Sequence, residues 1–329
     1  SAASDVYKRQ DKKARRKKSN RKDIQEFDKD KDRLLKELQQ LLIDEKYVTS
    51  AYETFIIHEP KERVIFKLPY YPDRIVHHAI MNVLEPIWVS IFIKNTYSCI
   101  KHRGTHSALY DVQAALKDRD NTTYCLKLDI RKFYPSIDHE ILKSIVRRKI
   151  KDAKLLRLLD SIIDSTDGVP IGNYLSQFFA NLMLAYFDHW LKEVKHVKYY
   201  FRYADDIVIL HSDKKYLWQL FKEIKEYLTE LKLDIKDNYQ VFKVDDRSIS
   251  FVGYCIYHDY TLVRKNIKRN MCRKAARLLR KHLSYTEYKQ QMCSHIGWLK
   301  HCNGINLLKK ILCYKGLLVY ARRFLEKEH

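Results

Sequence analysis

The sequence has 329 residues, of which 46% are hydrophobic, so it is long and apolar enough for a packed globular protein of two or three subdomains. Lys and Arg number 63 against 41 Asp and Glu, and the net charge of +22 favours a nucleic acid as partner over an anionic membrane surface. No apolar run is long enough to span a bilayer, the charged N-terminus is unlike a signal peptide, and seven scattered cysteines without C-x-x-C spacing indicate a reducing, cytoplasmic setting.

The N-terminal third of the chain alternates between predicted helices and short strands. The residue patterns predict, in order, a helix over 28–42, strands over 54–57 and 63–66, and helices at about 73–83 and 107–117. Ahead of them, the tail of residues 1–22 carries the basic run Lys12–Lys18. Such a run is typical either of a nucleic-acid contact or of a solvated tail.

The rest of the chain changes from mixed elements to helices alone. The patterns predict, in order, a strand over 123–129, helices within 138–165, a helix over 174–192, a hairpin at 198–211, a helix over 214–232, a strand turn at 251–254 and basic helices from 265 onward. This order predicts an α+β fold. We expect a basic tail and helix over 1–50, a catalytic body over 51–255 and a separate helical unit over 256–329.

Two adjacent aspartates, Asp205 and Asp206, lie between the apolar, β-prone runs 201–204 and 207–210. This pattern predicts a hairpin that carries both carboxylates at its tip. Adjacent carboxylates repel each other, and a hard cation such as Mg²⁺ offsets that repulsion. Taken alone, the pair is also typical of a polar turn.

A third carboxylate, Asp129, ends the apolar strand 126–128 just before the chain turns at Arg131. Taken alone, it is also typical of a helix N-cap. Three aspartates from two neighbouring strands can hold two metal ions, an arrangement that serves in-line phosphoryl transfer. A Gly-Val-Pro-x-Gly-Asn loop at 168–173 and an apolar helix lie between the two acidic segments, and their presence favours the metal-site interpretation.

Four motifs in this order resemble those of reverse transcriptases. Tyr203–Asp206 matches the Y-x-D-D motif, 128–134 matches the first catalytic aspartate with its neighbours, and 168–181 matches the loop and helix between them. Phe251, Val252, Gly253 and Tyr254 resemble the primer-grip turn. The resemblance runs from about 61 to 304, and it implies a right-hand polymerase of fingers, palm and helical thumb with RNA-directed DNA polymerase activity.

The resemblance also implies a two-metal catalytic centre. Asp129, Asp205 and Asp206 would hold two Mg²⁺ ions, with Mn²⁺ as a substitute, and the backbone carbonyl of Ile130 would add an oxygen ligand. One ion would activate the primer 3′-hydroxyl, and the other would stabilise the leaving pyrophosphate.

Several other side chains are expected to contact the incoming deoxynucleoside triphosphate. Lys61 and Arg63, on the strand pair that resembles the fingers, would clamp the phosphates. Arg74 is a further candidate, with a salt bridge as its alternative role. Tyr134 would exclude a 2′-hydroxyl by its bulk. Lys236 would protonate the pyrophosphate, or it is a solvated surface lysine.

One departure from the family pattern lies in the loop–helix motif. Most of the family has Gln-Gly followed by Ser-Pro, whereas this chain has Ile171–Gly172 followed by Ser176–Gln177. The variant is similar to the reverse transcriptases of diversity-generating retroelements, which copy a template RNA with errors concentrated at adenines. Ile171 and Gly172 would border the nucleotide, and isoleucine cannot make the hydrogen bond of a glutamine. We therefore expect lower fidelity. The alternative explanation of the isoleucine at position 171 is sequence drift in another bacterial lineage.

The helical C-terminal unit would be the thumb that grips the duplex backbone. Its basic side chains recur at helical spacing beside Ala276 and Leu279; they include Lys265, Lys268, Arg269, Arg273 and Arg277. A plain solvated helix is the alternative. The implied partners are template RNA, its cDNA and deoxynucleoside triphosphates, with no membrane. A small, basic, oligomeric accessory protein follows from the resemblance alone.

Other functions fit parts of the sequence. A group II intron or abortive-infection type of reverse transcriptase is one alternative, and the loop–helix variant and the absence of a recognisable RNase H or endonuclease segment argue against the intron type. A non-catalytic RNA-binding module is another, which the presence of all three aspartates disfavours. Four residues could be drawn as a zinc site without ligand spacing, and core packing is the better interpretation of them: Cys293, His295, His301 and Cys302.

Overall fold

The structure, a computed structural model, describes residues 11, 14–15, 20–58, 62–281 and 283–312. Most of the basic run Lys12–Lys18, and the predicted phosphate ligand Lys61, lie outside these residues. The chain forms two compact units. Within the described residues, the first unit comprises the chain up to Lys101, Asp129–Val197 and Lys222–Asp237, and the second comprises the remaining segments.

The structure forms most of the predicted helices and strands. The helices are α1 (Lys22–Lys29), α2 (Lys31–Ile43), α3 (Ile75–Ile91), α4 (Thr105–Ala115), α5 (His139–Lys149), α6 (Ala153–Ile163), α7 (Tyr174–Met183), α8 (Ala185–His189), α9 (Lys214–Glu230), α10 (Lys265–Leu279), α11 (Tyr285–Leu299) and α12 (Ile305–Leu312). The strands are β1 (Glu53–Ile57), β2 (Arg63–Lys67), β3 (Tyr124–Asp129), β4 (Tyr199–Tyr203), β5 (Asp206–His211), β6 (Gln240–Lys243), β7 (Ile249–Phe251), β8 (Tyr254–Ile256) and β9 (Thr261–Val263). Short helical turns cover Tyr70–Arg74, Arg119–Asn121, Tyr134–Ser136 and Trp190–Val194.

The first unit consists mainly of helices packed around an aromatic core. Helix α7 packs against α3 and α5. Trp88 of α3 is fully buried, and its ring centroid lies 6.1 Å from that of Phe178 and 5.7 Å from that of Phe179. Strands β1 and β2 form a separate antiparallel hairpin in which Ile56 pairs with Val64, and both of these side chains are exposed.

Two helices of the first unit end differently from the prediction. The helix predicted over 73–83 continues through Pro86 to Ile91, because the apolar side chains Leu84, Trp88 and Ile91 extend its buried face beyond the proline. The single helix predicted over 174–192 is interrupted at Leu184, whose φ of −104° and ψ of 2° are not helical. Apolar residues are buried on both sides of this break, so the hydrophobic pattern does not reveal it.

The second unit carries a sheet of four strands in the order β4-β5-β3-β6. Residues 207–210 of β5 and three residues of β3 are buried, which accounts for the apolar runs that predicted these strands. Asp129, the last residue of β3, is the point at which the chain passes into the first unit. The sequence pattern missed strand β6, because its side chains are only half-buried.

A second sheet and the C-terminal helices complete the second unit. Strands β7, β8 and β9 form an antiparallel meander, and α10 packs against α11, which packs against α12. Helix α10 buries Met271, Ala275 and Leu278, whereas the spacing predicted an apolar face with Ala276 and Leu279. No helix within the described ranges has the length and apolar composition needed to cross a bilayer.

Candidate active site

The adjacent aspartates lie at the tip of the β4–β5 hairpin. Tyr203 pairs with Asp206, so Ala204 and Asp205 form a two-residue turn in which Ala204 has a left-handed φ of 54°. The Arg202 side chain is fully buried, and its Nη1 donates a hydrogen bond of 3.0 Å to the carbonyl of Ala204. A residue with a Cβ adopts this φ only where its surroundings stabilise it. Arg202, which the sequence analysis did not single out, therefore holds the turn that presents Asp205.

Asp129 ends strand β3, the neighbour of β5 in the sheet. Its backbone carbonyl accepts a hydrogen bond from the Lys236 amide at 2.9 Å, and the Arg131 amide donates to the Asp234 carbonyl at 2.7 Å. Ile130 lies between these two bonds, in a bridge with Ile235. Neither of these two backbone hydrogen bonds uses the carbonyl oxygen of Ile130.

Lysines pair with the carboxylates of Asp206 and Asp129. The Lys127 ammonium contacts Asp206, and the Lys236 ammonium contacts Asp129. The four side chains are between 17% and 30% exposed, so these pairs are only partly screened by solvent. Lys236 is thus placed at a predicted metal ligand and is not a solvated surface lysine.

The donor atoms at these aspartates fit a magnesium site in chemical type. Carboxylate and carbonyl oxygens are the ligands that Mg²⁺ takes, and the lysine pairs show that the carboxylates are stabilised by positive charge.

Among the described residues, no group of three or more His, Cys, Asp or Glu side chains is arranged around a common point for a metal. Of the residues drawn as a zinc site, His301 bonds through Nδ1 to the Tyr110 hydroxyl at 2.5 Å, and the Cys302 thiol donates to the Trp298 carbonyl.

A cavity of about 360 Å³ lies in the first unit. It is bounded by β2, the start of α3 and the start of α7, with the lining residues Phe55, Ile65, Phe66, Lys67, Leu68, Arg74, His77, His78, Gly172, Asn173, Tyr174 and Gln177. The ring of His78 stacks on that of Tyr174 with centroids 4.9 Å apart. The size, the aromatic wall and the two cationic side chains, Lys67 and Arg74, suit a nucleotide.

Among the described residues, no ion pair of Arg74 is present. Its Nε is buried without a hydrogen-bond partner, and burial lowers the pKa of its guanidinium. An uncompensated, partly buried charge is costly. The side chain is therefore suited to an anion that enters the cavity.

The remaining predicted nucleotide residues take different positions. Gly172 lines the cavity, while the Ile171 carbonyl accepts a hydrogen bond of 2.8 Å from the Phe66 amide. Tyr134 is half-buried, and its carbonyl accepts a hydrogen bond of 2.9 Å from the Val169 amide, which joins it to the same loop. Arg63 is exposed on β2 and is not part of the cavity wall.

Sequence reasoning missed His77 and His78. They follow Arg74 by three and four residues in the first turn of α3, and all three residues line the cavity. Burial lowers the pKa of His77 to about 4, so its imidazole is neutral at pH 7.

The predicted primer grip is the tight turn between β7 and β8. Val252 and Gly253 have φ values of 42° and 91°, and a Cβ on Gly253 would lie 2.5 Å from the Trp298 ring. The Tyr254 hydroxyl donates to the Trp298 carbonyl at 3.1 Å. This turn is thereby fixed against α11.

The predicted thumb residues lie on α10, and all five are exposed: Lys265, Lys268, Arg269, Arg273 and Arg277. The last three are spaced four residues apart and form one stripe along the helix. The stripe lies on the surface away from Met271 and Ala275, which are buried. It is available to a polyanion.

Residues 58–256, more than half of the chain, match the family described as reverse transcriptase (RNA-dependent DNA polymerase). The chain belongs to the reverse transcriptase family. This reverse transcriptase is 32% identical over 139 residues to protein YkfC of Escherichia coli K12 and 27% identical over 222 residues to the retron Ec73 reverse transcriptase of Escherichia coli. It is 24% identical over 139 residues to the group II intron-encoded protein LtrA of Lactococcus lactis.

The alignment with YkfC covers 38% of this reverse transcriptase and 36% of YkfC. The alignment with the Ec73 enzyme covers 62% of this chain and 68% of that enzyme, and the alignment with LtrA covers 39% of this chain and 23% of LtrA. Among solved structures, apo telomerase from Candida tropicalis superposes with a TM-score of 0.53 at 12% identity, covering 90% of this chain and 64% of that one. At this identity the likeness concerns the fold alone. The predicted α+β, right-hand polymerase fold is confirmed.

Gly172→Ala in this reverse transcriptase should damage the cavity. Gly172 has a φ of 124°, and a Cβ there would lie 2.5 Å from the Phe66 carbonyl oxygen. We expect the KM for deoxynucleotides to rise about tenfold, since strain of this kind costs about 1–3 kcal/mol. The matched control is Gly297→Ala, where a Cβ meets nothing within 4 Å. Steady-state kinetics on both variants test this; an unchanged KM in a folded Gly172→Ala protein would contradict it.

Proposed function

We propose that this protein is an RNA-directed DNA polymerase. The observation that carries the proposal is the contact between the Lys127 ammonium, on β3 two residues before Asp129, and Asp206, the first residue of the neighbouring strand β5. This contact supports the use of Asp129, Asp205 and Asp206 as one catalytic set, with the Ile130 carbonyl as a further oxygen. Bound Mg²⁺ ions would supply activation of the primer 3′-hydroxyl and stabilisation of the leaving pyrophosphate.

The chain's own residues have separate tasks in this proposal. Arg74 binds phosphate oxygens in the 360 Å³ cavity, the backbone at Gly172 borders the nucleotide, and Tyr134 excludes ribose. Lys61 and Arg63 are proposed as further phosphate ligands from the β1–β2 hairpin. Lys236, beside Asp129, is the proton donor to pyrophosphate. The β7–β8 turn grips the primer, and the stripe on α10 follows the duplex backbone.

The experiment that tests the proposal is primer extension. Purified protein is given a DNA primer on an RNA template with deoxynucleoside triphosphates and Mg²⁺, and extension should be lost on addition of EDTA. A non-catalytic RNA-binding module would retain the primer–template in a gel-shift assay and yield no extension. That result would overturn the proposal.

We further propose that the enzyme is of the diversity-generating retroelement type. The Ile171–Gly172 loop and its Ser176–Gln177 helix support this, and the type implies error-prone cDNA with mutations at template adenines. It also implies a basic, oligomeric accessory protein and action in the cytoplasm. The second candidate is a retron or group II intron type of reverse transcriptase, which the likeness to the Ec73 enzyme and to LtrA favours.

Replacing Ile171 by glutamine should lower misincorporation. A glutamine amide can hydrogen-bond beside the nucleotide, and a site that makes polar contacts rejects mismatched partners more strongly. We expect the error frequency in cDNA to fall about tenfold, with Ile171→Leu, which keeps an aliphatic side chain, as the control. Sequencing of the products measures it, and equal error spectra for the two variants would argue against this role.

A further inference from the structure

A histidine outside the predicted site joins two of its parts. His139 is the first residue of α5, and its Nε2 lies 2.9 Å from the carbonyl oxygen of Gly168. Its Nδ1 lies 3.1 Å from a carboxylate oxygen of Asp164. The other oxygen of Asp164 accepts a hydrogen bond of 2.8 Å from the Lys143 ammonium.

Both ring nitrogens of His139 face oxygen atoms that accept hydrogen bonds and cannot donate them. The Gly168 carbonyl can only accept, so Nε2 donates its N–H to that oxygen, while Nδ1 faces the Asp164 carboxylate.

The Gly168 carbonyl belongs to the same peptide group as the Val169 amide, which donates to the Tyr134 carbonyl at 2.9 Å. This peptide group is therefore held at both ends, by His139 through its oxygen and by Tyr134 through its nitrogen. Gly168 has a φ of 61°, and a Cβ on it would lie 2.5 Å from the Pro135 carbonyl oxygen. The loop thus lies directly against the turn at Tyr134–Ser136.

We propose that His139 is a positioning residue for sugar selection: it fixes the Gly168–Val169 peptide, which holds Tyr134 in the place where its ring meets the sugar of the incoming nucleotide. The proposal rests on the proposed polymerase function and on the role given there to Tyr134. The same loop continues to Gly172, which lines the 360 Å³ cavity.

The test compares His139→Leu, which removes both ring nitrogens, with His139→Gln, which keeps a side-chain N–H donor. The readout is the ratio of deoxynucleotide to ribonucleotide incorporation in single-nucleotide extension. His139→Leu should lower this ratio by up to about tenfold, the upper end of the effect of losing one hydrogen bond, and His139→Gln should lower it less. The turnover rate with the matched deoxynucleotide should change less than the ratio does.

A double-mutant cycle with Tyr134→Ala separates positioning from a general loss of stability. If His139 acts through Tyr134, His139→Leu should have no further effect on sugar selection once the Tyr134 ring is absent. Equal effects in both backgrounds, or an unchanged ratio in a folded His139→Leu protein, would overturn the inference.

Hydrogen exchange gives a readout that does not depend on catalysis. Exchange of the Val169 amide should be faster in His139→Leu than in the wild type, because the peptide loses the bond at its oxygen. If the wild type incorporates no nucleotide, the proposed function fails, and hydrogen exchange alone then decides whether His139 holds the Gly168–Val169 peptide. Unchanged exchange of the Val169 amide in His139→Leu would refute that contact.

Discussion

Replacing Asp205 by asparagine is expected to abolish nucleotide incorporation. Asp205 is the second residue of the two-residue turn between β4 and β5, next to Asp206. Asparagine keeps the size of the side chain and removes its charge, so the turn held by Arg202 should survive while the affinity for divalent cations falls. A loss of at least about a thousandfold is expected, because metal ions supply several kcal/mol of transition-state stabilisation.

The measurement is the initial rate of primer extension on an RNA template. Asp246→Asn is the matched control, since Asp246 is an exposed carboxylate of the same unit outside the proposed site. Binding of the primer–template should be retained in both variants, because neither removes a basic side chain. Full activity of a folded Asp205→Asn enzyme would remove this residue from the catalytic set.

Local sequence predicted the acidic elements because their signals are short-range. The runs on either side of Asp205 and Asp206 are short, apolar and β-prone, and the middle residues of both strands are buried in the sheet. Strand β3 shows the same apolar signal before Asp129. Fold class and the positions of most elements follow from such patterns.

The surroundings of the aspartates depend on residues that are distant in the sequence. Lys236 follows Asp129 by 107 residues, and the Ile130–Ile235 bridge with its backbone hydrogen bonds brings the two side chains together. Lys127 and Asp129 are two residues apart on β3, so strand alternation predicts that their side chains share a face of the sheet. It does not predict that Lys127 pairs with Asp206 on the neighbouring strand. Pairings of this kind are set by strand order, which periodicity does not encode.

The cavity in the first unit was only partly predictable. Arg74 and Gly172 were identified from their motifs, but the wall also needs β2 and the first turn of α7. Strand β2 is joined to the loop before α7 by the hydrogen bond between the Phe66 amide and the Ile171 carbonyl. Both partners of that bond are backbone groups, which every residue type except proline supplies in full, so no side-chain pattern could signal it.

Replacing Tyr134 by alanine should admit ribonucleotides. Tyr134 begins the short helical turn that follows Asp129, and its ring lies edge-on to Phe133 with centroids 5.8 Å apart. Its carbonyl is bound by the Val169 amide, so the side chain projects from a backbone that is fixed in position. A ring held in this way would reject a 2′-hydroxyl by steric overlap. Removing the ring should therefore lower the preference for deoxynucleotides over ribonucleotides about a hundredfold, because a steric clash can discriminate more strongly than the gain or loss of one methylene contact.

Single-nucleotide extension with matched deoxy- and ribonucleotides measures this discrimination, and Tyr134→Phe separates ring bulk from the hydroxyl group. The phenylalanine variant should select deoxynucleotides as the wild type does, because it keeps the ring. Since the backbone bond to Val169 is present in both variants, a fall in both would assign discrimination to the tyrosine hydroxyl instead of to bulk. Unchanged discrimination in Tyr134→Ala would mean that another side chain meets the sugar, and His139 would then have no route to sugar selection through this turn.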